Sequence, residues 1–142
     1  ECPVARSLDV IGDWWSLLIV RDAFRGLRRF SEFQRSLGLA RNILTVRLRS
    51  LVADGIMETV PAADGSAYQE YVLTEKGRRL LPVLLALRQW GIACFPDGGP
   101  WGTEWVERDT GRPVRGLAIQ SEDGRPLTAA DVAFRSVPPV SA

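Results

Sequence analysis

In the first part of the chain, apolar residues recur every three or four positions, and this spacing predicts a succession of short helices. Phe30, Phe33 and Leu37 illustrate it, since they share one face of a helix that Gly38 then ends. The pattern predicts helices over residues 3–11, 14–24, 30–37, 39–55 and 75–95. Asp13 stands where it can cap the second of them.

The helix predicted over 39–55 has two unlike faces. An apolar stripe suited to a core consists of Leu44, Leu48, Leu51 and Val52. The opposite face mixes hydrogen-bonding, methyl-bearing and cationic groups, namely Asn42, Thr45, Val46 and Arg49. That face fits a DNA major groove, where Arg can pair with guanine, Asn with adenine, and methyl groups can touch thymine. An ordinary amphipathic helix with a solvated face shows the same pattern.

The surroundings of this helix favour the DNA interpretation. A short turn at Gly38 joins it to the helix before it, as in a helix-turn-helix. After Gly55 the spacing of apolar residues becomes typical of β-strands, which are predicted over 56–61 and 68–73. Asp64 and Gly65 between them are the turn signal. A hairpin directly after a helix-turn-helix is a wing, so the predicted fold class is α+β, a winged helix-turn-helix.

The helix predicted over 75–95 follows Thr74, a good cap residue, and is apolar nearly all round. A domain of this size rarely buries a helix on every side, so we expect a second copy of the chain to cover part of it. Pro82 should bend the helix, because proline lacks one backbone donor.

The composition shifts at Pro96, and the sequence predicts three parts. They are a DNA-binding and dimerisation domain over 1–95, a linker over 96–104 and a small β-rich extension over 105–142. Within the extension we expect strands at 114–120 and 132–137, a brief helical turn at 128–132 and a frayed end at 138–142.

Charge is unevenly distributed along the 142 residues. The whole chain has a net charge of +1, yet residues 21–49 hold eight arginines against two acidic residues, a net +6. Such a block is typical of a surface that binds a polyanion, although a solvated face has the same composition. Arginine suits bidentate contacts to phosphate or guanine, and a GC-rich genome would also favour it.

Other counts exclude several classes of protein. No run of about 18 apolar residues is present and no signal peptide is visible, in a sequence that starts at Glu1 rather than Met. Two cysteines make no disulfide framework, which suits a reducing cytoplasm. Without His, a Gly-rich phosphate loop or a nucleophile elbow, we expect no enzyme, no metal site and no other cofactor.

A series of short motifs gives the chain a family likeness. In order they are CPV at 2–4, LDVIGDWW at 8–15, RRFSEF at 28–33, ILTVRLRSL at 43–51, DGIM at 54–57, EYVLTEKGR at 70–78 and WG at 90–91. Through them the chain resembles the HxlR-type helix-turn-helix regulators, winged-helix DNA-binding proteins of bacteria related to the MarR group. The resemblance implies a homodimeric transcriptional regulator, expected to be a repressor, that binds double-stranded DNA at inverted-repeat operators.

The resemblance also implies where partners would bind. Family dimers form mainly through the first and last helices, here the interface residues Val4, Leu8, Leu84, Leu87 and Trp90. Bases would be read by Asn42, Thr45, Val46 and Arg49, and phosphates would be bound by Arg41 and Arg47 beside them. Arg28 and Arg29 are further candidates for phosphate contacts. The alternative is that they belong to a solvated loop without a ligand. The alternative function is a winged-helix protein-interaction module without specific DNA binding.

The chain departs from the family at several points. The wing residues 60–69 contain no Lys or Arg, so phosphates would be held there only weakly, by backbone amides, Ser66, Tyr68 or Gln69. Ala40 is a poor helix cap, and Val46 stands where relatives often have Gln. Through TG at 110–111, QSEDG at 120–124 and PL at 126–127 the extension resembles a zinc knuckle that has lost every presumed cysteine ligand, so a metal-free ribbon is expected.

Two features suggest an effector. Cys2 occupies the position of a cysteine that some relatives use to sense electrophiles or oxidants, and it would react if its thiolate were stabilised. It could equally be an unreactive thiol at a dimer interface, and Cys94 is expected to be buried. The five tryptophans could pack in the core or line a small-molecule pocket at the dimer interface.

Overall fold

The computed structural model describes residues 2–98 and 102–138. The chain divides into two compact units, the first ending at Leu84 and the second beginning at Leu85. The helices are α1 (Pro3–Ile11), α2 (Ser16–Phe24), α3 (Phe30–Leu37), α4 (Arg41–Ala53), α5 (Glu75–Arg78) and α6 (Leu81–Cys94). In the described part of the chain, no helix has the length and apolar character needed to cross a membrane.

Local sequence signals fix the helix boundaries of the first unit. The carboxylate of Asp13 accepts the backbone N–H groups of Trp15 and Ser16, both at 2.9 Å, and so caps α2. Gly38 ends α3 with a φ of 64°, in the left-handed region that glycine tolerates best. Thr74 caps α5 by accepting the N–H of Gly77 at 3.1 Å. The sequence predicted α2 and α3 to within about two residues, and it predicted the start of α5.

The wing is an antiparallel hairpin of β1 (Met57–Pro61) and β2 (Gln69–Leu73), in the register Met57 to Leu73 and Pro61 to Gln69. It follows α4 directly, so the predicted winged helix-turn-helix is confirmed. The N–H of Tyr71 donates to the carbonyl of Arg28 at 2.7 Å, which ties the segment before α3 to the outer side of the wing.

The core of the first unit lies beneath α4 and joins it to α2, α3 and the wing. The three leucines of the predicted stripe of α4 are buried, with Leu44 and Leu51 fully inaccessible to solvent, and Val52 is partly buried. Other members of the same cluster are Ile19, Val20, Phe33, Leu39, Leu48, Ile56, Met57 and Leu84. Burial of this stripe fixes which face of α4 is turned outward.

The helix expected over 75–95 is instead two helices, because the chain turns at residues 79–80 between α5 and α6. Pro82 lies in the first turn of α6, where its missing N–H needs no partner. In one continuous helix its ring would collide with the carbonyl of Arg78. Proline therefore separates the two helices rather than bending one.

The second unit keeps only the end of one expected strand. Its hairpin consists of β3 (Ile119–Gln120), the last two residues of the strand expected over 114–120, and β4 (Pro126–Leu127), and Val106 forms a bridge to Pro113. The prediction of a strand over 132–137 was wrong, because that segment has no strand partner in the described part of the unit. The helical turn expected near 128–132 is present as a 3-10 turn at Ala129–Asp131. Residues 139–142 of the expected frayed end lie outside the described residues.

Candidate nucleic-acid interface

The outer face of α4 presents the residues proposed to read bases. Asn42 and Arg49 are exposed, and Val46 is 51% exposed although it is apolar. Among the described residues, no hydrogen bond or ion pair engages the Arg49 side chain. Its guanidinium therefore has all its donors available for a ligand.

Thr45 is less available than its position in the sequence suggests. Its hydroxyl donates to the carbonyl of Arg41, one turn earlier, at 2.8 Å, and the residue is only half-exposed. A threonine bonded back to its own helix keeps its methyl group and a hydroxyl lone pair for a partner. It can therefore contact a thymine methyl or accept one hydrogen bond, but it cannot also donate one.

The amino-terminal end of α4 lies open beside a cation. Ala40 gives no side-chain cap, so the first N–H groups of α4 have no side-chain acceptor from it. The guanidinium of Arg41 stands 5.1 Å from the centre of the Phe30 ring, a cation–π contact that holds it near this end. A helix terminus with unpaired N–H groups and an adjacent cation suits a phosphate.

Arg47 is bound to the cap of a neighbouring helix. Its Nη1 lies 3.5 Å from Oδ1 of Asp13, the residue that caps α2. Burial alone would raise the pKa of Asp13, but hydrogen bonds from Ser16 and Trp15, with the charge of Arg47, bring it below its ordinary value. Arg47 thus shares its charge with a carboxylate, which distinguishes it from Arg49.

The wing obtains its positive charge from outside its own sequence. Arg28, in the turn before α3, pairs through Nε with Glu70 of β2, a carboxylate only 6% exposed. Glu70 also accepts the N–H of Ala63 at 2.9 Å. That backbone bond, followed by the bond from Arg28, lowers the pKa of Glu70.

Arg29 makes the matching contact at the wing tip. It pairs with Asp64 and stands 5.8 Å from the centre of the Tyr68 ring. Asp64 accepts the N–H of Ser66 at 2.9 Å, and this bond, together with the bond from Arg29, lowers the pKa of Asp64 to about 2. The wing has no Lys or Arg in its own sequence, but Arg28 and Arg29 form ion pairs with its carboxylates. Two acidic residues in the wing, Asp64 and Glu70, match the two adjacent arginines at 28–29 in number and are opposite in charge. They were the sequence signal that could have revealed these two ion pairs.

The three predicted polar contacts of the wing differ in exposure. Tyr68 is 70% exposed and Gln69 is exposed, whereas Ser66 is half-buried. Tyr68 and Gln69 thus stand beside Arg29 on an accessible surface. Ser66 contributes chiefly by holding Asp64.

The residues expected at a dimer interface divide by burial. In the first unit Val4 and Leu8 of α1 are exposed, and in the second unit Leu87 and Trp90 of α6 are exposed, Trp90 by 60%. Leu84 differs, since it is 9% exposed and belongs to the core of the first unit. It therefore supports α6 from beneath rather than from its outer face.

Cys94 and Trp14 are more exposed than expected of core residues. Both Cys2 and Cys94 are exposed, so the prediction of a buried Cys94 is wrong for the single chain, in which it is the last residue of α6. Trp14 is 78% exposed, and Trp15 and Trp105 are half-buried. Trp101 lies outside the described residues. In the described ranges, no group of three Cys, Asp or Glu side chains is arranged to hold a metal ion.

Comparison with known proteins places this geometry in a family. The profile of the HxlR-like helix-turn-helix family matches residues 10–97. The HTH-type transcriptional regulator Rv3095 of Mycobacterium tuberculosis is 43% identical over 99 residues, which are 68% of this chain and 63% of that protein. The chain thus spans less than two thirds of that relative's length.

Solved structures extend the similarity to the second unit. PA1607 is 58% identical with a TM-score of 0.85, covering 95% of this chain and 94% of its own. PA1374 from Pseudomonas aeruginosa is 42% identical with a TM-score of 0.64, covering 99% of this chain and 95% of its own. Since the family profile ends at residue 97, these matches show that the extension is also a shared feature.

Proposed function

This chain belongs to the HxlR-like helix-turn-helix family of transcriptional regulators and has their DNA-binding fold, and we propose from this that it is a sequence-specific repressor. In this proposal it binds an inverted-repeat operator as a homodimer in the bacterial cytoplasm, with α4 in the major groove. The observation that carries the proposal is the outer face of α4. There Asn42, Val46 and Arg49 stand exposed, directly opposite leucines that anchor the helix.

Phosphate contacts would surround this face. Arg41 and the open end of α4 would bind one backbone segment, with Arg47 beside them. Arg28 and Arg29, held on the wing by Glu70 and Asp64, would approach another. Tyr68 and Gln69 would add hydrogen bonds at the wing tip, whereas the N–H of Ser66 is already donated to Asp64.

Exposed apolar residues on α1 and α6 support the proposal of a homodimer. Val4 and Leu8 on α1, and Leu87 and Trp90 on α6, would be covered by the second copy. Twofold symmetry of the protein would then require twofold symmetry of the operator. The same proposal includes the expected division into a domain over 1–95, a linker over 96–104 and an extension over 105–142. The first part would bind DNA, and the extension would not contact it.

Regulation by oxidants or electrophiles would act through Cys2. The thiol is exposed at the start of α1, where modification would place a new group against the proposed dimer contact. Alkylation of Cys2 should therefore change operator affinity. Unchanged affinity after complete alkylation would remove Cys2 from regulation.

Selection of bound duplexes from a random pool tests the central proposal. We expect a palindrome whose half-sites lie about 10 base pairs apart, and two chains per duplex by light scattering. Binding should weaken steeply with salt, because several arginines would displace counterions. If no duplex shows salt-dependent binding, the DNA proposal fails and a protein-interaction module takes its place.

A further inference from the structure

The second unit contains a cavity of about 460 Å³, formed by the later turns of α6 and the segment from Glu104 to Leu117. Its walls are mainly apolar, with Leu85, Ile92 and Leu117 among them and the Trp105 ring on one side. This volume lies within the range of about 300–1,000 Å³ typical of small-molecule sites. The DNA contacts proposed above use none of these residues.

Specific hydrogen bonds build the cavity. The Gln89 amide of α6 donates from Nε2 to the Leu117 carbonyl at 2.9 Å and accepts the Leu117 N–H at Oε1 at 2.8 Å. Gly116 permits this approach, since a Cβ there would lie 2.9 Å from Gln89 Oε1. Arg88 donates to the Thr103 carbonyl. Helix and segment are thus held together without any occupant.

The charged residues of the cavity favour an anion. Arg88 and Arg115 line it together with a single carboxylate, Glu104. Among the described residues, neither guanidinium has an acidic group within ion-pair distance. Arginine binds carboxylates in a bidentate manner, most strongly where apolar walls reduce competition from water.

We propose that this cavity binds a small organic anion, an aromatic or branched alkyl body carrying one carboxylate. The body lies against Leu85, Ile92 and Leu117, and the carboxylate accepts hydrogen bonds from Arg115 and Arg88. The excess positive charge favours this occupant over a purely apolar segment of a second copy. The proposal does not depend on DNA binding.

Calorimetric titration of the full chain with 1-naphthoate tests the proposal, with neutral 1-naphthamide as the matched ligand. We expect saturable binding of one naphthoate per chain, and naphthamide weaker by about tenfold because it lacks the charge. Arg115→Gln should weaken naphthoate by a similar factor. Ala93→Trp, which fills the cavity without altering charge, should abolish binding of both compounds.

Arg125→Gln is the matched control, since Arg125 is an exposed arginine of the same unit that pairs with Asp123 outside the cavity. It should leave the dissociation constant unchanged. The Arg115 side chain has no hydrogen-bond or ion-pair partner among the described residues, so its replacement should not disturb folding, which circular dichroism verifies. The proposal is overturned if naphthoate at about 5 mM shows no binding, because the dissociation constant would then be weaker than millimolar. It is also overturned if the Arg115 and Arg125 variants lose affinity for naphthoate equally.

Discussion

The recognition helix α4 and the wing present their arginines in opposite ways. Arg49 on α4 is exposed, and no described side chain binds it. Arg28 and Arg29 beside the wing each pair with a wing carboxylate. An unpaired guanidinium can turn toward a base edge, whereas a paired one is held in place and has part of its charge cancelled.

This difference suits α4 to contacts with bases and the wing to contacts with phosphates. Contacts to bases carry sequence information, while contacts to phosphates fix the register of the protein on the duplex. In the proposed complex the wing would position the protein on the duplex, but Asp64 and Glu70 would make it a weak source of affinity. Specificity and most of the binding energy should therefore come from α4.

Arg49→Ala gives the largest expected change in DNA binding. It should cost about 1–3 kcal/mol on the selected operator, or about 5- to 150-fold, and much less on a scrambled duplex. Fluorescence anisotropy at constant salt measures both affinities. Arg79→Ala, at an exposed arginine directly after α5, is the charge-matched control and should change neither. Equal losses on the two duplexes would mean that Arg49 does not read bases.

Arg47 lies between the unpaired Arg49 and the paired wing arginines, since its partner Asp13 is 3.5 Å away. Asp13→Ala removes both this partner and the cap of α2. We expect a loss of about 1 kcal/mol in the free energy of unfolding at pH 7, typical of a lost cap. The pKa of Asp13 is lowered from 3.8 in the folded chain, so this stabilisation is complete above pH 3.8 and disappears as the pH falls through the lowered pKa.

Urea unfolding of both proteins between pH 7 and pH 2 measures this difference. Asp9→Ala, at an exposed carboxylate of α1, serves as control and should show no such pH dependence. A difference between wild type and Asp13→Ala that persists below the lowered pKa would show that the carboxylate charge is not its cause.

Asp64→Asn gives the smallest expected change and sharpens the contrast directly. Removing the wing-tip carboxylate leaves the charge of Arg29 available to a phosphate. The affinity for any duplex should rise modestly, and the slope of log K against log salt should steepen by about 0.9, one counterion. Asp123→Asn, at the paired carboxylate of the second unit, is the control. An unaltered slope would show that Asp64 does not restrain Arg29.

The elements of the first unit could be predicted because their signals are local. Gly38, Thr74 and Asp13 each act within a few residues of their own position, and the alternation of strands around Asp64 and Gly65 predicts the wing. The second unit was predicted less well. Its strands are only two residues long, so a run of β-forming residues such as 132–137 was a stronger signal than the real pair.

The sequence by itself determined the helix-turn-helix, the wing and which face of α4 is turned outward, since periodicity and capping depend on neighbours along the chain. Only the tertiary structure decided that Arg28 and Arg29 are paired. Arg28 and Glu70 lie 42 residues apart, and Arg29 and Asp64 lie 35 apart, so no local pattern joins them. Packing of the turn before α3 against the wing brings these groups together, and that packing distinguishes Arg28 and Arg29 from Arg49.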